Sequence, residues 1–246
     1  KLYYTRNSYD AKWYDYDGTT LLTTTQAKYQ QTISTPEVTA IRDGYTFGGW
    51  NIGSVTMTTD GVSFNAMDHG IWTANTYTVV FDANGGDGTM NAQSMTYDQT
   101  VDLTANAFTM AGYAFAGWSL DADGEAIYAD REQVSNLTTE DGAIVTLYAQ
   151  WTAGEGTAYK VAYYLENLAG DGYDVQEETS SGVTGSTVTA NAKAISGFTY
   201  DSDNTDNIPS GIIAGDGSLV LKLYYTRNSY DAKWYDYDGT TLLTTT

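Results

Sequence analysis

The first 25 residues, Lys1 to Thr25, return without a change as Lys222 to Thr246. Lys222 thus stands in the place of Lys1, and the chain holds one full turn of a longer period and the opening of the next. Self-similarity at a fixed period is the mark of a repeat architecture, and this sequence reads as a window of a tandem array. Residues 1–7 end one module and residues 229–246 begin another. That closing fragment is too short to complete a sheet by itself. It calls either for more chain or for a strand from another chain, because an orphan strand leaves its ladder unpaired.

A shorter period runs inside the long one. Three stretches open with a strand and carry a Gly-aromatic element at a similar distance downstream. Tyr9 leads to GYTFGGW at Gly44, Tyr77 to GYAFAGW at Gly112, and Tyr159 to GFTY at Gly197. Each stretch closes on another aromatic strand, beginning at Gly70, Val145 and Leu219. The modules so defined span 8–75, 76–153 and 157–228. Opening strands alternate, with Tyr159, Val161, Tyr163 and Leu165 on one face of the third, as half-buried strands do. Opening and closing strands are expected side by side in each sheet. Asp17-Gly18 and Asn84-Gly85 suit the positive φ of tight hairpin turns and predict a hairpin at the start of modules one and two. Thr35-Pro36-Glu37-Val38 up to Asp43-Gly44, and DREQVSNLT from Asp130, each suggest a turn or two of helix. The linkers Thr73–Asn75 and Thr226–Asn228 are short enough to force contact, whereas Ala153–Thr157, with two glycines, is expected to flex.

Composition sets the class. Thirty-one acidic residues against eleven basic ones give a net charge of -20, which repels phosphate backbones and anionic membranes and makes nucleic acid an unsuitable partner. The same charge opposes lateral bundling unless calcium or salt screens it. No cysteine is present, so packing rather than disulfides must hold small domains. No apolar run approaches the roughly 18 residues of a membrane span, and no membrane partner is expected within this segment. The fold class is mostly β, α+β with minimal helix.

Four blocks carry a family signature: YTVVFDANGGDGTM from Tyr77, GYAFAGWSLDADGEAIYAD from Gly112, VSNLT from Val134 and VTLYAQW from Val145. In order and spacing they resemble the internalin-type B-repeat, also called the Listeria-Bacteroides repeat. The first module looks like a diverged copy that keeps GYTFGGW but has HGIW in place of YAQW. The third, YKVAYYLENLAGDGY through GSTVTA to LVLKLYYTRN, is similar to variant repeats and to mucin-binding-protein repeats. The resemblance implies small β-grasp-like modules strung on bacterial surface proteins, extracellular and attached to the cell surface or wall, without enzymatic activity. It transfers only structural positions: Gly112, Tyr113, Phe115, Gly117, Trp118 and Trp151, and by analogy Gly44, Tyr45, Phe47, Gly49, Trp50 and Trp72.

Candidate sites compete with plain structural roles. Trp50, Trp118 and Trp151 could stack on sugar faces, but modules of about 70 residues without disulfides need large buried aromatics. The tyrosines could form ladders across the sheets. Asp15 and Asp17, their copies at Asp236 and Asp238, and Asp121 and Asp123 form Asp-x-Asp-Gly loops, the opening of many calcium sites. The remaining ligands and distal Glu are absent, and turn chemistry explains the loops equally well. Lys12, Lys160 and Lys222 stand in strands, where a Lys–Asn crosslink is conceivable. His69, the sole histidine, lacks the neighbours of a metal or catalytic site, and Asn136-Leu137-Thr138 matches an N-glycosylation sequon. No cofactor is expected beyond calcium. The function expected is a non-enzymatic, semi-rigid stalk of a surface adhesin or fibre, partnered by further copies of itself. The alternatives are glycan- or mucin-binding modules, or subunits joined into a filament by strand exchange.

Overall fold

A computed structural model of the chain describes residues 1–245; Thr246, within the fragment expected to begin a further module, lies outside them. The fold is mostly β, and among the described residues the helix is one turn long. From the N-terminus through Ala74 the chain carries β1 (Ser8–Tyr14), β2 (Leu21–Lys28), β3 (Thr32–Ile33), β4 (Tyr45–Trp50), β5 (Val55–Thr56), β6 (Val62–Asn65), α1 (Ala66–His69) and β7 (Gly70–Ala74). Then come β8 (Thr76–Asp82), β9 (Gln93–Thr96), β10 (Val101–Asp102), β11 (Tyr113–Ser119), β12 (Gln133–Val134) and β13 (Ile144–Ala153). The third stretch holds β14 (Thr157–Glu166), β15 (Tyr173–Gly182), β16 (Thr187–Thr189), β17 (Phe198–Tyr200), β18 (Ser210–Ile212) and β19 (Val220–Arg227). A final hairpin pairs β20 (Lys233–Tyr235) with β21 (Leu242–Thr245).

Opening and closing strands lie together in the second and third stretches. β8 runs parallel to β13 from Thr78↔Ile144 to Asp82↔Tyr148, and β14 runs parallel to β19 from Lys160↔Val220 to Leu165↔Tyr225. The sheet orders are β11-β13-β8-β9 and β15-β14-β19-β17. Alternation along β13 and β19 buries Leu147 and Ala149, and Leu221, Leu223 and Tyr225.

The first stretch departs from this pattern. Its closing strand β7 pairs with β4, while β6 takes the parallel place beside β1, Ala11↔Val62 to Tyr14↔Asn65. The cause is the turn of helix between β6 and β7. Asn65 Oδ1 accepts the Asp68 amide at 2.8 Å and caps it, as an N-cap asparagine does. Trp72 Nε1 then reaches back to the Ala66 carbonyl at 2.9 Å. One long closing strand is thereby split into two short ones, and this is the structural form of the HGIW divergence.

Neither expected helix forms. Val38 and Ala40 both enter the first core, a spacing of two that extended chain satisfies and helix does not. Asp15 Oδ1 also takes the Ile41 amide at 2.6 Å. After Asp130, Arg131 and Asn136 adopt positive φ, and the residues between them supply β12, paired to β10. Both turn dipeptides bend the chain. Asn84 and Gly85 have φ of 47° and 88°, yet β9 begins only at Gln93, so the connection is longer than a two-residue hairpin.

The chain forms two compact units: Lys1–Asn84 with Gly88–Phe108 and Gly117–Gln150, and Gly85–Asp87 with Thr109–Ala116 and Trp151–Thr246. In the first unit, one core gathers around Trp13, Ala11, Met57 and Trp50. A second buried group there includes Tyr77, Val79, Met95, Leu103, Trp118 and Leu147. The second unit's core is built on Val161, Tyr163, Leu165, Leu221, Leu223 and Tyr225, with Phe198 and Tyr200 packed against it.

Candidate functional site

The motif tryptophans stand inside the units. Trp118 is fully buried, with the rings of Phe81 and Phe108 at 4.9 and 6.1 Å. Trp50 is buried edge-on to Trp13 at 5.1 Å and to Phe47 at 5.6 Å. Trp151 is half-buried, edge-on to Phe115 at 5.7 Å. Such contacts are the geometry of core aromatic pairs. Trp72 lies against Phe47 at 5.0 Å.

The acidic loops use their carboxylates within the turns. Asp17 accepts the amides of Thr19 and Thr20, each at 2.8 Å, and the Thr20 hydroxyl at 2.6 Å. Those bonds, the Thr20 hydroxyl foremost, hold its pKa down at about 2. Asp15 accepts from the Tyr16 amide at 2.8 Å, and Asp121 from that of Asp123 at 3.2 Å. Among the described residues no three His, Asp or Glu side chains gather so as to hold a metal ion. His69 sits edge-on to Phe64 at 5.6 Å. Lys160 pairs with Glu177 at 2.7 Å, Lys222 lies over the Tyr164 ring at 5.9 Å, and the Asn136 amide donates to Asp98 at 2.9 Å.

The most developed polar geometry lies where one stretch passes into the next. In the first unit Asn75 is only 8% exposed and is bonded through every polar group. Its amide donates to the Gly44 carbonyl at 2.9 Å, and its carbonyl accepts the Tyr97 amide at 2.9 Å. Its Oδ1 accepts the Thr46 hydroxyl at 2.7 Å, and its Nδ2 donates to the Thr139 carbonyl at 2.7 Å. Next to it the Thr76 amide donates to Asp141 at 2.9 Å. The Tyr97 ring covers Gly44, where a Cβ would stand 2.3 Å from it. Tyr45 meets the Tyr97 ring at 5.7 Å and donates its hydroxyl to Asp98 at 2.6 Å. That bond raises the Tyr45 pKa and lowers that of Asp98. Arg42 stacks over Tyr45 at 3.5 Å and Tyr16 at 4.7 Å, leaving an open groove of aromatic and acidic side chains.

The second unit contains a related junction. The Gly154 amide donates to the Gly112 carbonyl at 2.7 Å, and its carbonyl accepts the Thr184 amide at 2.9 Å. Buried Thr184 also donates its hydroxyl to Gly112 at 2.9 Å and shares a bond with Thr157 at 2.6 Å. The linker expected to flex is therefore held on both sides of Gly154. Gly154 serves close approach rather than motion, since a Cβ there would meet the Gly112 carbonyl oxygen at 2.7 Å, whereas a Cβ on Gly156 would meet nothing within 4 Å.

Asn75 and Thr184 were not legible as site residues, because a polar residue in a short linker reads as solvated turn. A signal was nevertheless present. Asn-(Ser/Thr)-Tyr recurs at Asn7, Asn75 and Asn228, each time after an aromatic stretch that ends in Thr and one further residue, while the like-ended stretch at Thr152-Ala153 continues into Gly154 instead. On the β14–β19 sheet, Tyr164 stacks on Tyr224 at 4.5 Å, with Tyr173 edge-on at 4.9 Å, which gives a tyrosine ladder.

Comparison with known proteins agrees with this repeated construction. The Listeria-Bacteroides repeat domain matches twice, at residues 13–68 and 77–150, together more than half of the chain. A protein of Evansella cellulosilytica named "Putative Gly-rich membrane protein" is 31% identical over 137 residues, 50% of this chain and 15% of its own length. A second from the same organism, named "Putative membrane protein", is 27% identical over 160 residues, 58% of this chain and 23% of its own length. The chain thus spans less than a quarter of either relative. With two matched copies built on the same Gly-aromatic motif, the chain belongs to the Listeria-Bacteroides repeat domain family.

Proposed function

We propose that this chain is a non-enzymatic repeat segment of an extracellular surface protein or fibre, in which β-grasp-like modules spanning 8–75, 76–153 and 157–228 stack into a semi-rigid stalk. The single observation that carries the reading is the buried Asn75, whose four hydrogen bonds tie the end of one stretch to the start of the next. A freely jointed string of domains has no use for a satisfied polar group at its joint, whereas a stack of repeats gains stability from nearest-neighbour interfaces. The β-grasp-like part is supported by the two mixed sheets with parallel first and last strands side by side. That arrangement also supports kinship of the third module, with its mucin-binding-type resemblance, to the second. Burial of Trp50 and Trp118 favours a structural role over sugar stacking. The Asp-x-Asp-Gly loops act as turns in this reading, and calcium acts on the acidic surface by screening.

The test is a length series. Chains of one, two and three long periods, each running from the Lys1 position up to its recurrence at Lys222, are placed between a surface anchor and a fluorescent head, and the height of the head is measured. Equal increments per period support a stalk; height rising as the square root of length, the behaviour of a flexible coil, refutes it.

A glycan-binding reading draws on a different observation, the Tyr164–Tyr224 stack with the half-open ring of Tyr173 beside it. Retention on mucin glycans that Tyr173→Ala abolishes would favour it, and equal retention of both proteins would remove it.

A further inference from the structure

We infer that the face formed by Gly197, Thr199 and Asn228 is a socket for a second copy of the module that spans residues 8–75, seated by its Tyr29–Gln30 turn. The inference goes beyond the stalk reading, since it concerns how consecutive copies join, whatever the array does.

The first junction defines what a filled socket contains. Asn75 donates its amide to Gly44, receives Thr46 on Oδ1, and receives the Tyr97 amide on its carbonyl. Asn228 has the first two of these: its amide donates to the Gly197 carbonyl at 2.9 Å, and its Oδ1 accepts the Thr199 hydroxyl at 2.6 Å. The third is found at the other copy of the same duplicated sequence, where the Asn7 carbonyl accepts the Tyr29 amide at 2.8 Å. Asn7 and Asn228 occupy the same place in that sequence, so their bonds together reproduce the set around Asn75.

The plug matches as well. Tyr29–Gln30 and Tyr97–Asp98 are the same turn: Gln30 and Asp98 both have φ of 63°. The amide of Gln31 returns to Lys28, and that of Gln99 to Thr96, at 2.8 and 3.1 Å. Tyr97 covers Gly44, whose φ is +76°. Gly197 has φ of +82°, and among the described residues no atom lies within 4 Å of where its Cβ would stand. An uncovered glycine of the same conformation, beside an aromatic residue and a threonine in the same order, fits the ring of Tyr29 from the next copy. The exposed side chain of Tyr29 is available to supply it.

The test extends the full chain so that Thr246 continues into a second Gln26–Asn75 segment. The protein has no cysteine, so two introduced thiols are the only ones present. Phe198→Cys is combined with Cys at the second-copy Gln30, and Tyr45→Cys with Asp98→Cys serves as the filled reference. With a short thiol crosslinker, we expect native yield at least about tenfold above that in denaturant, because a fixed joint raises effective concentration, and close to the reference pair. Ala at the second-copy Tyr29 should lower that yield while the second copy stays folded by Trp fluorescence. Native yield equal to that in denaturant, or unaltered by loss of the ring, would overturn the socket. Such a result would show a loose joint at Asn228 and leave the length series to judge the stalk separately.

Discussion

Replacing Asn75 by alanine should cost about 2 kcal/mol of stability. The substitution deletes two side-chain hydrogen bonds, from Thr46 and to Thr139, each with a net value of about 1 kcal/mol. The further penalty of a stranded buried partner does not apply, because Thr46 and Thr139 are both exposed and recover water. Both backbone bonds of residue 75 survive the change. Thr46→Val removes only one of the two bonds and should cost about 1 kcal/mol. The pair should then show a coupling of about 1 kcal/mol in a double-mutant cycle, since one bond is shared. Urea unfolding followed by tryptophan fluorescence reads these values. A midpoint shift at constant slope is the expected form. A cost below about 0.5 kcal/mol for Asn75→Ala, or additive single effects, would show that the junction is an incidental contact.

Other expectations follow from the same structure. Trp118→Ala should cost about 3–5 kcal/mol, the range for deleting a fully buried large aromatic, measured by the same unfolding assay; a loss near about 1 kcal/mol would indicate a surface role. The Tyr163 pKa is pushed up to about 12, first by burial and then by its bond to Glu178. A raised pKa adds stability below the unfolded value near 10 and loses it as pH rises through the folded one. Thermal unfolding should therefore weaken between about pH 10 and 12, less so in Tyr163→Phe. Asp17, held at about 2 by Thr20 and Thr19, should contribute stability that fades as pH falls from about 4 toward 2. Asp17→Asn should flatten that part of the profile. Millimolar calcium and equal ionic strength of a monovalent salt should shift the melting temperature alike, and a calcium-specific rise abolished by Asp17→Asn would point to a real site.

The duplication of Lys1–Thr25 separates what local sequence decides from what it cannot. The Asp17–Thr20 turn and its copy Asp238–Thr241 make the same three hydrogen bonds, and both aspartates are held at about 2. Turn chemistry is therefore readable from a handful of residues. Burial is not: Trp13 is 0% exposed and the identical Trp234 is 58% exposed. What differs is β6 and Trp50 against the first of them, partners distant in sequence. For the same reason the pairing of β8 with β13 and of β14 with β19 follows from alternation, whereas the split of the first closing strand rests on a helix of four residues, too short to leave a periodic signal. The absent helix at Thr35–Asp43 shows the reverse case, where good capping signals yield to a core that takes Val38 and Ala40 from an extended chain. Asn75 is not legible in the sequence because its four partners come from positions 44, 46, 97 and 139, which only the fold brings together.

In the proposed stalk the junctions belong to the folded structure rather than acting as free hinges. Residue-resolved hydrogen exchange of the amides of Asn75, Tyr97, Gly154 and Thr184 tests it most directly. Packed junctions predict that these four exchange as slowly as the amides of β8 and β14, since core protection tracks global opening. Exchange at the rate of the exposed Asn167–Gly172 loop would contradict the claim, because the hydrogen bonds at Gly44 and Gly112 would then open without any unfolding of the modules.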